Sequence, residues 1–125
     1  MIIDSDVLIW SLRGNTRARD AIQQEVPFRI SVVTFIEIVQ GMKNRRELET
    51  FLRQIKTWSV TILQIDSGTS ERAMTYVEEY FLSHSIGLGD ALIAATAYEA
   101  GEKLLTANEK HYRQIKGLKL EKFSL

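Results

Sequence analysis

The sequence predicts an α/β fold: a three-layer α/β/α sandwich around a central, mostly parallel sheet of about five strands. Three observations carry that prediction. Short apolar runs alternate with helical stretches from one end of the chain to the other, the pattern of strands joined by helical crossovers. A hydrophobic fraction of 45% with 26% charged residues is an ordinary globular balance. The 125 residues suffice to bury about two-thirds of the unfolded surface, and the lone Pro27 lies between two elements with no linker near it. Residues 1–125 are therefore expected to form a single domain.

The elements follow in order. Met1-Ile2-Ile3, stopped by Asp4, reads as a brief buried strand. Residues 6–13 and 15–25 read as helices, punctuated by Gly14-Asn15. Phe28 to Val33 is β-branched and apolar, a second strand, with a helix from Thr34 to Met42 after it. Arg45 to Lys56 is a helix with Leu48, Leu52 and Ile55 at helical spacing. Trp58 to Ile65 carries Val60, Ile62 and Leu63 and reads as the third strand. Ser70 to Ser83 is helical, with Ala73, Val77, Tyr80 and Phe81 on one side. Leu88 to Ala100 is an Ala-rich helix closed by Gly101. Lys103 to Leu105 is a short strand, Asn108 to Ile115 a short helix and Leu118 to Phe123 the last strand.

Composition excludes several classes. With no cysteine there is no disulfide framework, thiolate metal site or cysteine nucleophile. Two histidines, His84 and His111, do not make a His-rich zinc site. Asp4 and Asp6 interrupt the first segment, against a secretory leader, and no apolar run reaches the ~18 residues of a membrane span. The expectation is a soluble, cytoplasmic protein whose metal, if it uses one, is held by oxygen ligands, which suit Mg²⁺ or Mn²⁺.

In a parallel sheet with helices on both faces, ligands gather at the carboxyl ends of the strands. Four acids meet that condition. Asp4 follows the first strand, Asp6 lies in the turn beyond it, Glu37 is on the helix after the second strand, and Asp90 opens the Ala-rich helix. Ile2-Ile3, Phe35-Ile36, Ile38-Val39 and Ala91-Leu92-Ile93 make apolar surroundings for three of them. An unpaired carboxylate there costs several kcal/mol, roughly, and grouped carboxylates repel. A shared divalent cation relieves both.

Each acid also has a plainer role. Asp4 or Asp6 can cap a helix, Asp90 can favour the macrodipole, and Thr34 to Glu37 matches a capping box. Thr106 to Glu109 matches another, with Asn108 as a neutral oxygen ligand or water-holding group; Ser5 and Thr34 can hydrogen-bond a phosphate or a carboxylate. His84 and His111 read as surface residues, Trp10 and Trp58 as core or interface, and Gly87-Leu88-Gly89 as a tight turn into a helix.

Four segments together resemble the motifs of PIN-domain ribonucleases, closest to the VapC-type toxins of toxin–antitoxin pairs. They are Met1-Ile2-Ile3-Asp4-Ser5-Asp6, Ile30-Ser31-Val32-Val33-Thr34-Phe35-Ile36-Glu37, Gly87-Leu88-Gly89-Asp90-Ala91-Leu92-Ile93 and Leu104-Leu105-Thr106-Ala107-Asn108. The resemblance implies a PIN-like sandwich and an endoribonuclease using one or two Mg²⁺ or Mn²⁺ ions. It makes Asp4, Glu37 and Asp90 the catalytic and metal-binding acids. It implies an RNA substrate, a cognate VapB-like antitoxin and a homodimer in a prokaryotic cytoplasm. The chain departs from the pattern at Asn108, where the family often has a fourth acid, and at Asp6, where it often has Asn or Ser; Asp6 or Glu109 could supply the missing charge.

Two other readings compete. Ile3-Asp4-Ser5-Asp6 is also how haloacid-dehalogenase-like phosphatases begin, with Asp4 as nucleophile, but no second acid follows Gly89-Asp90 in the next residues and Glu37 is left unexplained. A PIN-like module that binds RNA or protein without catalysis is the other. Charge bears on both. Lys plus Arg and Asp plus Glu are each 16, a formal net charge of zero, which excludes a strongly basic nucleic-acid wrapper. Setting the four acids aside as one pocket leaves a mildly basic exterior. Lys43, Arg45, Arg46, Arg53 and Lys56 crowd one stretch, and six lysines and arginines from Lys103 to Lys122 another, which suits RNA phosphates.

Overall fold

A computed structural model describes residues 1–84 and 86–124. Five strands, β1 (Ile2–Ile3), β2 (Arg29–Ser31), β3 (Thr61–Leu63), β4 (Leu104–Thr106) and β5 (Leu120–Lys122), form one sheet in the order β3-β2-β1-β4-β5. Every pairing is parallel. The helices that join them are α1 (Ser5–Leu12), α2 (Thr16–Glu25), α3 (Val32–Gln40), α4 (Arg45–Thr57), α5 (Ser67–His84), α6 (Leu88–Ala100) and α7 (Glu109–Tyr112).

The three central strands β2, β1 and β4 are short but buried, and their side chains alternate between two cores, while the edge strands β3 and β5 are more exposed. Ile2 and Leu104 enter one core with Ala91, Ala94, Ala95 and Tyr112. Ile3, Ile30 and Leu105 enter the other with Val7, Leu8 and Phe51. α6 is buried through Ala91, Ile93, Ala94, Ala95, Thr96 and Ala97. Small side chains let it lie close against its neighbours, which is why an Ala-rich sequence forms the innermost helix. It ends at Gly101, in the left-handed conformation (φ 67°) that glycine adopts without a Cβ penalty.

The chain steps from β1 outward to β3, then returns across the sheet to enter β4 on the other side of β1. The β1–β4 junction is therefore the topological switch point, and in open α/β sheets the ligand crevice lies outside the strands' carboxyl ends at such a point. Asp4 follows β1 and Thr106 ends β4, so both stand at that crevice.

Several sequence-based boundaries move. β2 ends at Ser31, whose Oγ accepts from the Val33 amide at 3.0 Å and caps α3, so the β-branched Val32 and Val33 are helical. Thr34 and Glu37 are then interior to α3, and the expected Thr34–Glu37 capping box does not form. The third strand shrinks to Thr61–Leu63 because Trp58 caps α4 and Ser59 takes a left-handed turn (φ 52°). Thr106 belongs to β4, and α7 is capped at Asn108 without a side-chain hydrogen bond, so the Thr106–Glu109 capping box is also absent. Capping of that kind operates at Asn44 instead. Its Oδ1 accepts from the Glu47 amide at 2.9 Å while Glu47 Oε1 accepts from the Lys43 amide at 2.8 Å.

Candidate active site at the carboxyl edge of the sheet

Asp4 is the N-cap of α1, and it is 5% exposed. Its Oδ1 accepts from the Ser5 amide at 2.8 Å. Its Oδ2 accepts from the Thr106 hydroxyl at 2.8 Å and the Tyr112 hydroxyl at 2.9 Å. Capping thus describes one of its two oxygens, and the other is held by two buried hydroxyls from β4 and α7. Burial, and then the neighbouring Asp6 charge, push its carboxyl up to about 7. Asp6 Oδ1 accepts from Val7 N at 2.7 Å, while Oδ2 takes Ala107 N at 3.1 Å and Thr106 Oγ1 at 3.4 Å. Burial raises its carboxyl as well. Thr106 thus touches both acids, and its Oγ1 accepts from the Asn108 amide at 3.0 Å.

Asp90 lies in the first turn of α6. Its Oδ1 accepts from the same Tyr112 hydroxyl at 3.2 Å, and its Oδ2 lies 3.0 Å from His111 Nδ1. One phenol hydroxyl therefore joins Asp4 and Asp90, whose facing oxygens can be no more than about 6 Å apart. Tyr112 is completely buried. Its hydroxyl is held neutral by burial first and then by the Asp4 and Asp90 charges.

Glu37 reaches the same edge from α3. Its Oε1 accepts from the Ser5 hydroxyl at 2.7 Å, so the residue after Asp4 fixes it. A Cβ on Gly89 would stand 2.9 Å from Glu37 Oε2, so a side chain there would push on Glu37 next to Asp90. Gly87 and Gly89 were expected to serve a tight turn. Gly87 stands at the entry to α6 as its N-cap, and Gly89, within the first turn, makes room for Glu37.

The crevice thus gathers Asp4, Asp6, Asp90, Ser5, Thr106 and, through Ser5, Glu37. Thr34 is buried one turn before Glu37, with its hydroxyl unpartnered. Asn108 is exposed, and its backbone amide is the group that joins the network. Glu109 faces Lys122 Nζ at 3.5 Å and does not join the acids. Sequence reasoning missed Tyr112 and the His111–Asp90 contact. A tyrosine among apolar residues reads as core, which Tyr112 also is, and an exposed histidine in a short helix gives no signal.

The donor set is all oxygen and rich in carboxylates, which fits a hard divalent cation. Among the described residues no group of three carboxylates or imidazoles is arranged to hold an ion as the side chains stand. Binding to Asp4, Asp90 and Glu37 together therefore calls for side-chain rotation, which the exposed Glu37 and half-buried Asp90 can make. Glu37 also lines a groove of about 510 Å³ floored by Ile38 and Met42, with Arg13, Lys43 and Arg46 beside Glu47.

A family model for the PIN domain matches residues 1–117. The chain belongs to the PIN-domain family. Ribonuclease VapC10 of Mycobacterium tuberculosis is 38% identical, the match covering 95% of this chain and 90% of the relative. A chain in a toxin–antitoxin complex from Klebsiella pneumoniae is 26% identical, with a TM-score of 0.79 over 94% of this chain and 93% of that one. A chain of the DNA-bound VapBC structure from Salmonella typhimurium reaches a TM-score of 0.83 at 20% identity, covering 97% and 96%, which speaks to the shared PIN fold. The five-stranded parallel sheet is thus the sheet of a PIN domain in this chain. No helix among the described residues is long and apolar enough to cross a membrane.

Proposed function

We propose that this single PIN domain, residues 1–125, is a Mg²⁺- or Mn²⁺-dependent endoribonuclease and the toxin of a VapBC-like toxin–antitoxin pair in a prokaryotic cytoplasm. The observation that carries the reading is the convergence of Asp4 and Asp90 on one buried hydroxyl at the switch point. The 38% identity to a protein named as a ribonuclease supports the activity, and the toxin–antitoxin relative supports the antitoxin partner.

Asp4 and Asp90 are the acids that would hold one or two divalent ions, with Glu37 and Asp6 beside them. A divalent ion there would lower the pKa of a water and offset negative charge on the scissile phosphate. Ser5 fixes Glu37 Oε1, which leaves Oε2 to orient a water for in-line attack on phosphorus. The cations Arg13, Lys43 and Arg46, along the groove that starts at Glu37, suit the phosphates of the RNA strand leading away from the cut. Exposed Met74, Phe81, Leu82 and Leu88 on α5 and α6 make an apolar surface for a homodimer.

The phosphatase alternative, with Asp4 as nucleophile, is disfavoured because it leaves Glu37, held by the Ser5 hydroxyl beside Asp4, without a role, and because the 38% identical relative is named as a ribonuclease. The test is cleavage of a mixed RNA pool titrated with Mn²⁺ or Mg²⁺, for wild type and Asp4→Asn. The reading expects metal-dependent cuts in wild type and none in the variant. Equal cleavage by both would remove Asp4 from the site, and RNA binding without cleavage by either would make the chain a binding module.

A further inference from the structure

We infer that Tyr112 is a positioning residue, whose buried hydroxyl sets the spacing of Asp4 and Asp90 for a divalent cation. The inference rests on the reading of those two acids as the ones that hold the ion. Asp4 comes from the end of β1 and Asp90 from the first turn of α6, so they belong to separate elements. The Tyr112 hydroxyl touches both, at 2.9 Å and 3.2 Å. Among the described hydrogen bonds it is the link that spans the pair.

The ring is a fixed post. It is completely buried, in the core that holds Ile2, Ile93, Leu104 and Ile115, so its hydroxyl cannot swing far without disturbing that core. A phenol has one proton to donate, and here two carboxylate oxygens compete for it. Either acid that drifts away leaves the hydroxyl to the other. Thr106 also touches Asp4 Oδ2, at 2.8 Å, but makes no described contact with Asp90. It steadies one acid, whereas Tyr112 relates the two.

A hydrogen-bond partner behind a metal ligand is worth about 10-fold to 100-fold in metal affinity. Tyr112→Phe keeps the ring and removes the hydroxyl. Mn²⁺ affinity, read from the electron paramagnetic resonance of free Mn²⁺, is expected to fall at least about tenfold in this variant. Cleavage should drop at limiting Mn²⁺ and return toward wild type at saturating Mn²⁺, with KM for RNA nearly unchanged. A residue that served only to fill the core would change neither the affinity nor this rescue.

Asp90→Asn is the companion arm. Wild-type affinity in Tyr112→Phe with weakened affinity in Asp90→Asn overturns the inference and leaves the site assignment standing. Wild-type affinity in Asp90→Asn overturns both. If Tyr112→Phe does not fold, Mn²⁺ affinity is measured in protein made with 3-fluorotyrosine, whose more acidic hydroxyl alters the hydrogen bonds to Asp4 and Asp90 while keeping the ring; a changed affinity supports the inference and an unchanged one overturns it.

Discussion

The two ends of β1 treat partly or fully buried acids in opposite ways. At the amino end, Glu102 receives the Met1 ammonium group and the Arg29 guanidinium, so its charge is met by two cations of the chain itself. At the carboxyl end, Asp4, Asp6 and Asp90 converge with hydroxyls and amides as their partners. The one described ion-pair contact there is His111 with Asp90. The first arrangement pairs an acid with cations of the chain itself. The second groups carboxylates with few cations beside them, and burial, then the Asp6 charge, pushes the Asp4 carboxyl up to about 7. On the function proposed above, a divalent cation would supply the positive charge at the second site.

The sharpest way to break this contrast is at the open end. Asp90→Asn or Asp4→Asn should cut RNA cleavage by more than about a hundredfold, since loss of an ion-holding acid should exceed the ~10–100-fold cost of losing an outer partner. Cleavage assayed at fixed Mn²⁺, with circular dichroism to verify the fold, checks this. Removal of metal with a chelator should have the same effect and be reversed by Mn²⁺.

Stability should move the other way. The folded Asp4 carboxyl binds its proton more tightly than the unfolded one, so its contribution to stability is full below about pH 4 and is lost as pH rises through about 7. Metal-free protein should therefore be less resistant to urea at pH 8 than at pH 5. Asp4→Asn should remove most of that slope and stabilise the pH 8 protein by a few kcal/mol, roughly. Denaturation curves at the two pH values measure it.

The closed end should show the reverse pattern. Glu102→Gln leaves the Met1 ammonium and Arg29 without their acid, and should cost about 1 kcal/mol at both pH values with cleavage unchanged. The smallest effect is expected at Gly89→Ala. A new Cβ 2.9 Å from Glu37 Oε2 should displace this exposed carboxylate from its Ser5 contact and slow cleavage by up to about tenfold, with little change in melting temperature.

The same contrast explains what the sequence disclosed. Alternating apolar runs and helical stretches predict the layered fold, and all five strands and seven helices appear among the described residues. Asp4, Glu37 and Asp90 were legible as candidates because carboxylates next to apolar runs at strand ends are costly. Boundaries were less so, because local propensity competes with capping. Val32 and Val33 favour a strand, but Ser31 caps the helix one residue before them. Thr34-x-x-Glu37, Thr106-x-x-Glu109 and Asn44-x-x-Glu47 look alike in sequence, yet only the last performs as a cap, because tertiary contacts claim Thr106 and Glu37. Tyr112 was illegible because nothing local distinguishes a buried ring from a buried ring whose hydroxyl meets two distant acids.

The central claim is that the crevice between β1 and β4 receives a divalent cation on Asp4 and Asp90. Anomalous scattering from crystals grown with saturating Mn²⁺ tests it most directly. The account predicts a peak about 2–2.3 Å from a carboxylate oxygen of Asp4 and of Asp90. A strong Mn²⁺ peak elsewhere, with none in this crevice, would contradict it.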